Sequence, residues 1–195
     1  MRVRSHWFRE ASPKPPEAIA RAAAVTAWRL ARAALGNMRA ADFEVDAGRQ
    51  YFAFLAEFLA FLVAVADRVA FAHLDEVPRN AFTQAFAEKL AELHEENETE
   101  LLGTGSRRAF IERCNARGET YAECDFPEGQ PGFAMLRCLA TFLGEHLPER
   151  DRPWVHDQVM EIEGPKAAET MRQAILDLLG LVPKRGRAGA SALGD

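Results

Sequence analysis

The segment YFAFLAEFLAFLVAVA, Tyr51 to Ala66, is sixteen residues long and carries a single charge, Glu57. A run this apolar has to be buried, either in lipid or in protein. A membrane-spanning helix needs about 20 predominantly apolar residues, and shorter runs belong to core helices. Extension towards His73 brings in Asp67 and Arg68, and each such charge costs roughly 2.5–3.5 kcal/mol at a bilayer centre. The segment is therefore expected to be the core helix of a soluble protein. On a helical wheel its large apolar side chains, from Phe52 to Val69, cover roughly 200° of the circumference, which requires neighbours on more than one side. The remaining strip is Ala53, Ala56, Glu57, Ala60, Ala64, Asp67 and Arg68. It predicts either solvent or a helix approaching closely along the alanines. Glu57 and Asp67 stand about 15 Å apart along the axis, too far to act together. Glu57 is expected to be a solvated charge.

The rest of the chain reads as a row of helices. No stretch sustains strand alternation, and no Asn-Gly hairpin signal occurs. Capping residues, glycines and prolines predict seven helices. The first runs from Pro16 to Met38 or Ala40, and the second, capped by Asp46, ends at His73 or Leu74. A third starts around Pro78, carries the stripe Phe82, Phe86, Leu90, Leu93 and Leu101, and stops at Gly103. Ser106 caps a fourth, with a break or kink expected at Gly118. After the loop DFPEGQPG come a fifth from Phe133 to Leu147 and a sixth through Trp154, Val155, Val159 and Ile162. A turn at EGP leads into a seventh, from Pro165 to Leu179. The expected fold class is all-α: a single-domain bundle of about six to seven helices around a central, very hydrophobic second helix. Residues 1–15 read as an N-terminal arm, 16–183 as the bundle and 184–195 as a flexible basic C-terminal tail.

Chemistry is harder to find. Cys114, Cys124 and Cys138 are odd in number and lack CxxC spacing, which argues against a disulfide framework or a zinc knuckle. Buried thiols in a cytoplasmic protein are the expectation. Phosphate loops, nucleotide-binding glycine motifs, nucleophile elbows and HExxH pairs are all missing from the sequence. The histidines are the remaining lead. His73 falls on the apolar side of the second helix, near its C-terminal end, and His146 lies within the stripe Leu136, Leu139, Leu143, Leu147. His94 and Glu98 are one turn apart, a spacing that lets an imidazole and a carboxylate meet one cation. His73, His94, Glu98 and His146 are thus the candidate metal or haem ligands. The competing expectation is that helix-end histidines bond free carbonyls and that the acidic run HEENETE around His94 is solvated.

Charge is unevenly spread. Residues 1–41 hold eight Lys and Arg against two acids, a net of +6, which leaves −11 for the remainder of a chain of net −5. Arg21, Arg32 and Arg39 share one face of the first helix, flanked by Trp28 and Arg29. Against an acidic whole, this modest stripe argues against nucleic acid as a partner and favours solvation or pairing with the acidic third helix of the same or a neighbouring chain. The opposite face carries Ala23, Ala27, Ala31 and Ala34, which permits close packing. The sequence points first to a helical bundle that acts through homo-oligomerisation or a protein partner. The alternative is a bundle whose interior pocket holds a metal, haem or apolar small molecule, with an enzyme as one form of that reading.

Overall fold

The computed structural model describes residues 14–40 and 48–182. Most of the expected arm, the Asp46 cap and the tail 184–195 lie outside the described residues. Seven α-helices follow one another: α1 (Pro16–Ala40), α2 (Arg49–His73), α3 (Glu76–Leu102), α4 (Arg107–Ala122), α5 (Phe133–Gly144), α6 (Arg152–Asp157) and α7 (Gly164–Leu179). The described residues contain no strand, so the chain is an all-α bundle. None of these helices is long and apolar enough to cross a membrane.

The apolar α2 forms the axis, packing against α1, α3, α4, α5 and α7. Phe52, Phe54, Phe58 and Phe61 are fully buried, as the wide apolar arc requires. The alanine face of α1 is used inside the chain. Ala23, Ala27, Ala31 and Ala34 are buried where α1 lies along α3 and α7, so this close-packing surface is not offered to a second molecule.

Local signals fix several helix ends. Gly103 closes α3 in the left-handed conformation at φ 75°, and the Ser106 hydroxyl accepts the Ala109 N–H at 3.1 Å to cap α4. Two expectations fail. At Gly118 α4 continues without a break. A helix-interior glycine costs about 1 kcal/mol relative to alanine but does not by itself end a helix that is anchored elsewhere. At EGP the chain does not turn. A π-helical segment, Gln158–Glu163, joins α6 directly to α7, and the Gly164 N–H bonds back to the Val159 carbonyl five residues earlier. A proline ring clashes with the carbonyl four residues before it in a regular helix, and the wider π turn relieves that clash ahead of Pro165. Trp154 and Ile162 face outwards, while Val155 and Val159 are buried.

Glu163, at the end of this segment, is buried and accepts both an Asn37 amide from α1, at 3.1 and 3.2 Å, and the Gln158 amide at 3.2 Å. Gly164 beside it is required by space. A β-carbon there would stand 2.7 Å from Leu136 Cδ2 and 2.7 Å from the Val159 carbonyl oxygen. Gly164→Ala is expected to destabilise the protein by roughly 1–3 kcal/mol, as overpacking does, and urea unfolding would measure it.

Candidate functional site

Glu57 is fully buried, contrary to the expectation of a solvated charge. The reason lies far along the chain. Arg113 and Arg117, one turn apart on α4, converge on this carboxylate from above α2. Arg113 Nη1 donates to Oε1 at 2.5 Å, while Arg117 donates to Oε2 from Nε and to Oε1 from Nη2, both at 2.8 Å. His146 Nε2 stands 3.4 Å from Oε1. Burial alone would raise the carboxyl's pKa, but the bonds from His146 and Arg117 and the charges of Arg113 and Arg117 outweigh it and bring Glu57 down to about 2. Arg117 also covers the Phe142 ring, 3.7 Å from its centroid. With both oxygens bonded, this carboxylate pins α4 and the turn after α5 to the axial helix. It does not line the groove described next.

Above this anchor α3 and α4 diverge, and α2 is left uncovered between them. The gap is an open groove of about 1660 Å³. Its floor is the small-residue strip of α2, with Ala60, Val63 and Ala64; Ala87 of α3 and Ile111 and Gly118 of α4 face it from the walls. Polar side chains such as Asn80, Gln84 and Asn115 form the rim, and Phe71, largely exposed, stands at one end.

Both ends of the groove are braced. Asp67 and Arg68, neighbours on α2, reach in opposite directions. The Asp67 carboxylate accepts Arg79 Nε at 3.0 Å, Arg79 Nη2 at 2.5 Å and the Thr83 hydroxyl at 2.8 Å, which fixes the first half of α3. Arg68 Nη2 donates to the carbonyls of Tyr121, Ala122 and Cys124 at 3.2, 2.9 and 3.0 Å, which caps the C-terminus of α4. At the far end the Glu95 carboxylate accepts the Arg107 backbone N–H at 3.1 Å and pairs with its guanidinium at 3.2 Å. The groove is thus pre-formed.

The expected site residues fall in three places. His73 is exposed at the end of α2. His146 belongs to the Glu57 cluster. His94 is buried, not solvated with the acidic run, and sits against Trp28, Phe52 and Phe110. Its Nε2 is 3.0 Å from the Phe52 carbonyl, so Nε2 carries the hydrogen and Nδ1 faces Glu98 Oε2 at 3.6 Å. Burial lowers the pKa of His94, against the opposing pull of the Phe52 carbonyl and Glu98. The structure therefore brings His94 and Glu98 together and leaves His73 and His146 elsewhere. Among the described residues no three His, Cys, Asp or Glu side chains are grouped to share a metal ion. On the basic stripe, Arg21 pairs with Glu92 of α3 in the same chain at 3.7 Å, one of the expected uses of these arginines. Arg29, Arg32 and Arg39 instead surround a notch of about 390 Å³ beside Tyr51.

Sequence reasoning missed the roles of Glu57, Arg113 and Arg117. The available signal was the arginine pair at i and i+4, a spacing that lets two guanidiniums grip one carboxylate. Comparison with known protein families, curated proteins and solved structures gives no match to this chain.

Glu57 ties stability to pH with a definite sign. Its folded pKa, about 2, lies below its ordinary 4.5, so the ionised carboxylate stabilises the fold above pH 4.5 and loses that contribution as pH falls towards 2. Glu57→Gln is expected to cost about 3 kcal/mol at neutral pH and to flatten the loss of stability between pH 4.5 and 2 in urea titrations.

Proposed function

We propose that the protein is a protein-interaction module that binds a segment of a partner protein in the groove between α3 and α4. The observation that carries this reading is the braced gap over the alanine strip of α2. An apolar floor under a polar rim is the anatomy of a protein interface core. Small-molecule sites enclose their ligands in pockets of about 300–1,000 Å³, whereas this groove is larger and open along its length. A partner chain is favoured over a second copy, because the helices of the described residues are engaged in the bundle and none stands free to enter another molecule's groove. No catalytic role is assigned.

The test is a selection of displayed 16-residue peptides against the full chain, with counter-selection against Ala64→Trp, whose indole fills the floor. Peptides that bind the wild type at micromolar affinity and the variant at least tenfold more weakly are the expected outcome. Failure to find any, combined with Ala64-dependent uptake of a fatty acid or an apolar dye, would replace this reading with a small-molecule carrier.

A further inference from the structure

We infer that the groove's occupant is a single amphipathic α-helix of another protein, one of low net charge on its contact face, which completes the ring of helices around α2. The inference rests on the reading that the groove takes a protein segment.

The first support is Gly118. It lies inside α4 without a positive φ, so its conformational freedom is not used. A β-carbon built on it meets nothing within 4 Å, so its lack of a side chain is not needed by the chain's own packing either. It weakens the helix and gives this molecule nothing in return. It does line the groove, where the absence of a side chain lets another backbone come close.

The second support is register. Asp67 bonds Thr83 and the Phe52 carbonyl meets His94, so α3 runs antiparallel to α2, and Arg68 bonds Ala122 while Glu57 bonds Arg113 and Arg117, so α4 runs parallel to it. Counting from the Asp67–Thr83 and Arg68–Ala122 contacts places Ala64, Ala87 and Gly118 within about one helical turn of one another. Floor and both walls therefore narrow to small side chains together, at mid-groove. That leaves room for one large apolar side chain of a partner.

Third, the lining bands run lengthwise. Ala60, Ala64, Asp67 and Phe71 on α2 repeat at i, i+4, i+7 and i+11, and so do Ile111, Asn115, Gly118 and Ala122 on α4. A body lying along both follows the helix axes for about 16 Å, roughly the length of an 11-residue helix. An extended segment would place unpaired N–H and C=O groups over an apolar floor, and the described residues offer no strand edge to bond them. A helix bonds its own.

Fourth, charge nearly cancels. Five carboxylates and four guanidiniums line the groove, and the Asp67–Arg79, Glu95–Arg107 and Arg108–Glu112 pairs are already closed. Apolar fit therefore selects the partner helix, and binding depends weakly on salt.

The experiment takes the tightest peptide from the selection above and compares it with a helix-stapled form and with a form carrying a central proline. The helix reading expects the staple to improve affinity and the proline to weaken it at least tenfold, with less than a threefold change between 0.05 and 0.5 M NaCl. Gly118→Leu should weaken stapled-peptide binding at least tenfold while leaving the thermal midpoint unchanged or raising it by about 2–4 °C, which separates a blocked groove from a damaged fold. Equal affinity of the proline form would overturn the helix while leaving the protein-segment reading in place. Absence of any Ala64-dependent peptide would sink both. Binding that appears only after removal of residues 1–13 would assign the groove to this chain's own N-terminal segment and overturn the partner.

Discussion

The structure depends on how α4 is held to α2. By its own apolar content α4 is a poor candidate for a bundle helix, since only Phe110, Cys114 and Tyr121 are buried along its length. Buried ion pairs are weak evidence for net stability, because desolvation offsets much of the attraction, yet removing one partner is expensive. Here the carboxylate of Glu57 is placed inside the apolar helix, and two arginines of α4 are the groups that satisfy it. The cost of burying Glu57 makes the position of α4 specific. In this placement both oxygens of that carboxylate are bonded. Arg68 repeats the device at the other end by bonding carbonyls that a helix C-terminus leaves open.

This explains why a groove persists in a protein that otherwise packs closely. A gap lined only by apolar side chains tends to close, because empty space forfeits contact energy on every face. The α3–α4 gap is held by struts whose partners lie at fixed positions. Asp67 holds one wall and Arg68 holds the other. Moving either wall inwards would break charge-assisted bonds of 2.5 to 3.2 Å at that end of the groove. Two adjacent charges, which as sequence merely marked the end of an apolar run, act as the spacer of the site.

How much of this was legible in the sequence follows the range of the interactions. The helix order, the αL stop at Gly103 and the Ser106 cap are local and were readable, as was the burial of α2 from the width of its apolar arc. The burial of Glu57 was not, because its partners stand 56 and 60 residues away on another helix. His94 was misread for the same reason. Its sequence neighbours are acidic, but its spatial neighbours are the rings of Trp28, Phe52 and Phe110. The continuous helical passage through EGP was hidden because a π register is chosen by the bundle, which needs Val155 and Val159 inside. The candidate site was half legible. The alanine strip of α2 already raised the choice between solvent and an approaching helix, but nothing local said whether α3 and α4 would cover it.

The two alanine strips received opposite fates, and the difference is instructive. The strip on α1 is bounded by residues that pack onto α3 and α7, so the chain consumes it internally. The strip on α2 ends in Asp67 and Arg68, whose side chains reach sideways to the flanking helices and hold them apart. Small residues alone therefore do not mark an interaction surface. They do so where polar struts keep neighbouring helices from closing over them, and where a glycine in a wall, Gly118, is smaller than the chain's own packing requires. Both conditions meet in one groove, which is why the functional reading rests there and not on the histidines.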